Sequence, residues 1–269
     1  MTRIDLTELL DLATDAARRA GDLLVETRPE EGPTVTATKS SPTDVVTAMD
    51  TASERLIVET LLGSRPHDTI LGEEGASEAG TSGVRWLVDP IDGTVNFLYG
   101  LPEWAVSIAA EVDGQLAVGV VNIAPRGEMF VAVRDGGAWL GEERVHCNKD
   151  VPLERALVAT GFGYASSRRA HQAEVLRSVL PRVRDIRRGG SCAVDLCSVA
   201  CGRADAYYES GPQEWDLAAG VLIAREAGGR VQGLRGRPPG YELTIAAAPE
   251  LFGPLHDLLA SAVDGAARP

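Results

Sequence analysis

The chain has 269 residues, of which 44% are hydrophobic and 24% are charged, and its formal net charge is −13. This length and composition predict a globular protein made of one large domain or two modest halves. The acidic balance argues against a broad nucleic-acid-binding face, although bound cations can still attract an anionic substrate. No apolar run approaches the roughly 18 residues of a membrane span, and the acidic first thirty residues do not form a signal peptide. We therefore expect a cytoplasmic protein without membrane contact.

The first half begins with a helical pattern of leucine and alanine, which predicts an amphipathic helix over residues 5–28. Residues 29–42 are rich in threonine, serine and proline and predict a loop that carries one cation, Lys39. This loop is either solvated surface or a mobile flap over an active site. A second helix is expected at about 51–63, and Asp50 stands where its N-cap would be.

The stretch 86–97 carries the strongest functional signal. Residues 86–88 are apolar and predict a buried strand, which Pro90 ends between Asp89 and Asp92. Two carboxylates and a backbone carbonyl suit a hard divalent cation, and the N–H groups that follow Asp92 can hold an anion beside it. Taken alone, however, a DPxDG string is more often a turn than a metal site.

Two other carboxylates stand at the ends of predicted elements. Glu73 follows the short strand 70–71 inside a Gly-Glu-Glu-Gly string, and Asp216 opens a helix expected at 216–227. Each has an ordinary alternative role, since adjacent glutamates are usually solvated and an aspartate at a helix start stabilises the helix dipole. Carboxylates collected at element ends nevertheless suit Mg²⁺, and no set of histidines and cysteines suits zinc.

The rest of the chain divides at a polar segment, 146–154, into an N-terminal α+β half (1–148) and a C-terminal α/β half (149–269). The first half continues with strands at 104–112, 115–124 and 128–134, of which the first two form a hairpin through Asp-Gly. The second half alternates strands at 156–160, 183–187, 205–209 and 243–247 with helices at 168–180, 191–201, 216–227 and 249–263. Such alternation predicts helices that cover a sheet.

The cysteines show no pair at zinc-site spacing and are expected to be reduced and mostly buried thiols. They are Cys147, Cys192, Cys197 and Cys201. Ser191 and Cys192 have no convincing activating base in the sequence, so neither is favoured as a nucleophile.

Five motifs follow one another in a fixed order along the chain. They are Lys39–Asp44, Val46–Asp50, Gly72–Gly75, Asp89–Phe97 and Glu214–Gly220. Their order and spacing resemble the inositol monophosphatase family over almost the whole chain, and bacterial, actinobacterial members in particular. The resemblance implies an α/β fold, the αβαβα sandwich of the inositol monophosphatase and fructose bisphosphatase type. It also implies a lithium-sensitive homodimer that uses two to three Mg²⁺ ions.

The resemblance also implies metal-binding roles for several acidic residues. The first metal would be held by Glu73, Asp89 and the carbonyl of Ile91. The second would be held by Asp89, Asp92 and Asp216, and Glu73 would help a third ion through water.

Further roles follow from the resemblance for catalysis and substrate binding. Backbone N–H groups of Gly93 and Thr94 would bind the phosphate. The Thr94 hydroxyl, bonded to Asp50, would orient the attacking water together with Glu73, and Lys39 would lie on a mobile loop near the metals. The substrate side would consist of Asp92, Gly93, Thr94, Gly190, Ser191, Cys192, Glu209 and Asp216. Without the resemblance, Glu209 is better interpreted as a solvent-facing glutamate at a strand end.

The predicted function is hydrolysis of myo-inositol 1-phosphate and related sugar-alcohol phosphates by a metal-activated water, without a phosphoenzyme. Three rival substrates lie in the same class of enzyme: histidinol phosphate, fructose 1,6-bisphosphate and 3′-phosphonucleotides. A different class remains open as well, namely a regulatory binding protein that keeps the fold without catalysis.

Overall fold

Two large β-sheets, a small two-stranded sheet and the covering helices form the fold, and the computed structural model describes residues 4–29, 32–39 and 45–266. The helices are α1 (Leu6–Thr27), α2 (Ala48–Ser64), α3 (Thr94–Tyr99), α4 (Ser166–Val179), α5 (Cys192–Ala200), α6 (Glu214–Glu226) and α7 (Pro249–Gly265). The strands of the first half are β1 (Val35–Thr38), β2 (Val45–Thr47), β3 (Thr69–Gly72), β4 (Ser77–Glu78), β5 (Val84–Asp92), β6 (Ala105–Val112), β7 (Gln115–Ile123), β8 (Glu128–Val133), β9 (Gly137–Leu140) and β10 (Glu143–Arg144). The strands of the second half are β11 (Leu157–Thr160), β12 (Asp185–Arg187), β13 (Ala206–Glu209), β14 (Arg230–Gln232) and β15 (Thr244–Ala247).

The larger sheet has eight strands in the order β10-β9-β8-β7-β6-β5-β3-β4. Most neighbours are antiparallel, but β3 and β5 run parallel, and Gly72 pairs with Val88 in their register. The residues that follow this pair, Glu73 and Asp89, therefore emerge side by side at one edge of the sheet. This pairing is the structural reason why two carboxylates far apart in sequence meet.

The smaller sheet has five strands in the order β12-β11-β13-β15-β14, and β11 lies parallel to both of its neighbours. Helices α1 and α2 bury their apolar sides against one face of the larger sheet. Helices α5 and α6 fill the space between the two sheets, and α4 and α7 cover the outer face of the smaller sheet. The expected αβαβα sandwich is thereby confirmed.

Most predicted elements lie within a few residues of their expected positions, but three details were wrong. The loop predicted over residues 29–42 contains strand β1, which pairs antiparallel with β2. Strand β5 does not end at Pro90 but continues to Asp92, with an irregular register between Asp89 and Asp92. The six-residue helix α3 and the short strands β2, β4, β9, β10 and β14 were not predicted.

The proposed division at residue 148 stays a prediction. The two sheets lie on either side of it, yet α5 and α6 from the second half pack directly on strands β6, β7 and β8 of the first half. The two halves therefore share a core.

Candidate active site

Three carboxylates converge where the larger sheet meets the middle helical layer. One oxygen each of Glu73, Asp89 and Asp216 lies within 4.8 Å of the others. Glu73 and Asp89 arrive from the parallel strands β3 and β5, whereas Asp216 comes from the first turn of α6. The side chain of Asp216 also accepts a 2.7 Å hydrogen bond from the N–H of Gln213, which fixes it at the helix start.

Asp92 lies beside this cluster but is not one of the three converging groups. Its Oδ2 accepts hydrogen bonds from Ser191 Oγ at 2.7 Å and from the N–H of Ala193 at 2.6 Å. Ser191 is also the N-cap of α5, since its Oγ accepts from the N–H of Val194. Asp92 thus ties the end of β5 to the start of α5, across 99 residues of sequence.

The carboxylates of this region repel one another, and Asp89 and Asp92 among them are buried. Burial, together with the charges of Glu73, Asp92 and Asp216, raises the pKa of Asp89 well above its ordinary value. Burial and the charges of Asp92 and Glu73 do the same for the pKa of Asp216. Burial raises the pKa of Asp92 to about 6, although the hydrogen bonds from Ser191 and Ala193 oppose this. A cation bound among these oxygens would relieve the repulsion, and an all-oxygen donor set fits a hard divalent ion such as Mg²⁺.

The side chain of Lys39 reaches the cluster. Its Nζ lies 2.7 Å from Oε1 of Glu73 and 2.6 Å from Oε1 of Glu74. Burial opposes its charge, but the two glutamates outweigh burial and raise the pKa of the Lys39 ammonium. The remainder of its motif, residues 40–44, lies outside the described residues.

Glu54 supports the turn next to Glu73, and the sequence did not predict this contact. It is buried on α2, and its two carboxylate oxygens accept the N–H groups of Glu74 and Ala76 at 2.8 and 3.0 Å. It thereby fixes the turn that presents Glu73. A sequence signal existed, because Glu54 stands four residues after Asp50 and so shares its helix face.

Asp50 is not the N-cap of α2, and that prediction was wrong. Thr47 is the N-cap, and Asp50 occupies the third helical position of a capping box. Oδ2 of Asp50 accepts from the N–H and the hydroxyl of Thr47, at 2.8 and 2.6 Å. Oδ1 faces the Thr94 hydroxyl at 3.2 Å. The same hydroxyl lies 3.1 Å from the carbonyl of Ile91, so its single proton can serve only one of these acceptors.

Gly93 has the left-handed backbone conformation that favours glycine, with a φ of 98°. A Cβ at this position would lie 2.9 Å from the carbonyl oxygen of Glu103 and 3.3 Å from that of Gly190. No side chain caps α3, which begins at Thr94. Asn96 holds the neighbouring loop by donating to the carbonyls of Glu103 and Gly189, at 2.6 and 2.9 Å.

Several residues that the resemblance assigns to the substrate side take part in a chain of polar contacts. The Tyr207 hydroxyl lies 2.9 Å from Oε2 of Glu209 and 3.1 Å from the sulfur of Cys192. Burial raises the pKa of Glu209 to about 7, although the Tyr207 hydroxyl opposes this. Glu209 is half-buried and accepts a hydrogen bond from Tyr207, unlike the solvent-facing glutamate expected without the resemblance. Burial also raises the pKa of Cys192 well above its ordinary value, which disfavours the thiolate that a nucleophile requires.

The cysteine prediction is confirmed. All four thiols are free, and Cys147, Cys192 and Cys197 are buried, whereas Cys201 is half-buried. Within the described ranges, no helix combines the length and apolarity that crossing a membrane requires.

A sequence model described as the inositol monophosphatase family matches residues 5–266. The chain belongs to this family. An inositol-1-monophosphatase of Mycobacterium bovis is 46% identical over 251 residues, which cover 88% of this chain and 87% of that protein. A protein of Haemophilus influenzae named Nus factor SuhB is 41% identical over 228 residues, covering 84% of this chain and 85% of that protein.

Solved structures of family members have the same fold. The SuhB structure from Mycobacterium tuberculosis has a TM-score of 0.83 and 41% identity, covering 97% of this chain and 98% of that one. The extragenic suppressor protein SuhB from Bartonella henselae has a TM-score of 0.88 and 35% identity, covering 94% and 98%. Membership of this metal-dependent family supports phosphatase activity, and the acidic cluster is the place where an ion can bind.

Proposed function

We propose that this protein is a Mg²⁺-dependent phosphomonoesterase that hydrolyses myo-inositol 1-phosphate and related sugar-alcohol phosphates to the alcohol and inorganic phosphate. The observation that carries the proposal is the convergence of Glu73, Asp89 and Asp216, whose oxygens lie within 4.8 Å of one another. Family membership and the mycobacterial inositol-1-monophosphatase relative support the choice of substrate.

Bound Mg²⁺ ions, two to three in number, would supply charge neutralisation of the phosphate and activation of a water. Their ligands are proposed to be the carboxylates of Glu73, Asp89, Asp92 and Asp216 and the carbonyl of Ile91. When the Thr94 hydroxyl donates to Asp50, the Ile91 carbonyl keeps its lone pairs for a cation. The free lone pairs of the Thr94 oxygen can then accept a hydrogen bond from the attacking water, which Glu73 also orients.

The phosphate and the leaving alcohol are proposed to lie on opposite sides of Asp92. The N–H groups of Gly93 and Thr94 would bind phosphate oxygens, because α3 begins there without a side-chain cap. On the other side, Glu209 would accept hydrogen bonds from ring hydroxyls. Gly190, Ser191 and Cys192 would line the same side, near Asp216.

Two carboxylate variants test the metal assignment. We expect Asp92→Asn and Asp216→Asn each to lower the turnover of myo-inositol 1-phosphate at saturating Mg²⁺ by about 100-fold or more, because each removes charge that holds the ion. Asp185→Asn, at an exposed aspartate, serves as the matched control. Circular dichroism checks that each variant is folded. Unchanged turnover in folded Asp216→Asn would refute the assignment.

A substrate panel tests the choice of alcohol. Phosphate release from myo-inositol 1-phosphate should exceed release from histidinol phosphate, fructose 1,6-bisphosphate and a 3′-phosphonucleotide. If histidinol phosphate is hydrolysed faster, the role assigned to Glu209 is wrong.

A second candidate function is a regulatory role in which the fold binds a partner. The relatives named Nus factor SuhB favour it, while the net charge of −13 disfavours direct contact with nucleic acid. The homodimer and the lithium sensitivity remain predictions from the resemblance, and the cytoplasmic location remains a prediction from the composition of the sequence. Gel filtration and inhibition by Li⁺ check the first two.

A further inference from the structure

A cavity of about 1050 Å³ opens at the carboxyl ends of β11 and β13. It is much larger than a single sugar-alcohol ring needs, and it falls at the upper end of the volumes of small-molecule sites. Its wall includes Thr160 and Glu209, the last residues of the two strands, as well as Arg168 and Tyr241. Because Glu209 also stands on the proposed leaving-group side of the active site, the cavity adjoins that side.

The cavity lies where the fold favours ligand binding. After β11 the chain turns to α4 on the outer face of the smaller sheet, whereas after β13 it turns to α6 in the middle layer. Adjacent parallel strands whose connections leave on opposite faces produce a crevice outside their carboxyl ends. The candidate metal ligand Asp216 lies in the first turn of α6, which follows this end of β13.

Arg168 is a fixed cation in the cavity wall. Its guanidinium stacks 4.4 Å from the ring centre of Tyr241 and donates to the Tyr241 hydroxyl. Its side chain packs closely against Gly163 and Gly211, because a Cβ on either glycine would lie 2.5 Å from an atom of the Arg168 side chain. Gly211 is only two residues from Glu209, so Arg168 stands beside the shared wall.

Arg168 also differs from the other arginines in the wall in its ion pairing. Arg235 pairs with Asp264, and Arg237 pairs with Glu242. Among residues 4–29, 32–39 and 45–266, no carboxylate forms an ion pair with Arg168. A preorganised guanidinium without a carboxylate partner is suited to bind phosphate through two parallel hydrogen bonds.

We propose that this cavity is a second substrate subsite, which takes the alcohol portion of a larger phosphate monoester and binds a second phosphate group through Arg168. The inference rests on the proposed phosphatase function and extends it to bisphosphorylated substrates. The reaction itself is unchanged, because water attacks only the phosphate at the acidic cluster and the second phosphate stays on the alcohol.

The test compares two substrates that differ in one phosphate, myo-inositol 1-phosphate and myo-inositol 1,4-bisphosphate. We expect the wild type to hydrolyse both and Arg168→Met to lower the ratio of kcat/KM for the bisphosphate to that for the monophosphate by about tenfold or more. The lower ratio should result from a higher KM for the bisphosphate. Arg168→Lys should restore part of the ratio. Arg177→Met, on an exposed arginine of the same helix that pairs with Glu174, should leave the ratio as in the wild type.

Each outcome separates this inference from the proposed function. A wild type active on the monophosphate but inactive on the bisphosphate overturns the subsite alone, as does an unchanged ratio in folded Arg168→Met. A wild type inactive on every phosphate ester overturns the proposed function instead. If Arg168→Met does not fold, Tyr241→Phe removes the hydroxyl that positions the guanidinium and should lower the ratio less, in the same direction. Fructose 1,6-bisphosphate and adenosine 3′,5′-bisphosphate then report which alcohol portion the cavity accepts.

Discussion

The Nζ atom of Lys39 lies 2.7 Å from Oε1 of Glu73, so an ammonium contacts one of the three carboxylates that converge in the candidate metal cluster. The same ammonium binds Glu74, whose backbone N–H is held by Glu54. A positive side chain is therefore placed where a divalent cation is expected to bind, and the two compete for the same oxygen.

Removal of this ammonium should tighten metal binding. We expect Lys39→Met to lower the Mg²⁺ concentration for half-maximal activity severalfold, because a like charge beside the cation disappears. The measurement is a Mg²⁺ titration of activity, with Lys149→Met, at an exposed lysine of the other half, as the control. A higher Mg²⁺ requirement would show instead that Lys39 supports the bound state.

The Thr94 hydroxyl is expected to contribute to turnover through the proton that it donates and not through its size. Thr94→Val keeps the shape but cannot bond to Asp50, and we expect kcat to fall about 100-fold, within the range for loss of a proton-positioning group. Thr94→Ser should retain most of the activity. Thr60→Val, which removes a hydroxyl bonded to a helix carbonyl on α2, is the control. Full activity in Thr94→Val would exclude the proposed orientation of the water.

Glu209 should make substrate binding depend on pH. Its pKa is raised to about 7, so the carboxylate that accepts hydrogen bonds forms as pH rises through that value, and KM for myo-inositol 1-phosphate should fall. Since the Tyr207 hydroxyl lowers this pKa, Tyr207→Phe should move the midpoint upward by about one pH unit.

Steady-state kinetics from pH 5.5 to 9 measure this shift, and kcat serves as an internal comparison. Tyr208→Phe is the matched control, because Tyr208 points to the opposite face of β13. A midpoint that stays in place in Tyr207→Phe would contradict the assignment to Glu209.

Asp195 on α5 is expected to destabilise the protein at neutral pH. It is buried, and its Oδ2 has no hydrogen-bond partner. Burial and the charges of Glu209 and Asp92 raise its pKa well above the ordinary value of 3.8. A carboxyl with a raised folded-state pKa contributes stability below its unfolded pKa, and that stability is lost as pH rises through the folded pKa.

Asp195→Asn should therefore stabilise the protein more at pH 8 than at pH 5, by about 1–3 kcal/mol at pH 8. Urea unfolding at both pH values provides the free energies. Asp185→Asn provides the contrast, since the hydrogen bond from Arg187 lowers the pKa of this exposed aspartate. A gain in Asp195→Asn that is equal at both pH values would indicate a packing effect.

The sequence predicted the fold well where local patterns decide the structure. The leucine and alanine spacing located α1 to within a residue or two, and the alternation in the second half located every long helix. The acidic ends of β3 and β5 were recognisable because polar residues end apolar strands. Their meeting depends on parallel pairing, which a strand's own residues do not reveal.

What the sequence did not predict depends on contacts between distant segments. Strand β1 is exposed along its length and lacks an apolar pattern, and it is held by pairing with β2 and by the Thr36 hydroxyl bonded to the carbonyl of Val46. Asp50 was misplaced because α2 begins at Ala48, before the apolar pattern becomes visible. The support from Glu54 requires a turn 20 residues away.

The bond between Asp92 and the start of α5 has a consequence for how the protein loses activity on heating. Ser191 and Ala193 donate hydrogen bonds to Asp92 only while the middle helical layer remains packed against the larger sheet. We expect a slight loosening of that layer to break these bonds to Asp92 while both sheets keep their hydrogen bonds. Inactivation is thus expected at a lower temperature than the loss of β-structure, and chelation of the metal should widen the interval between them.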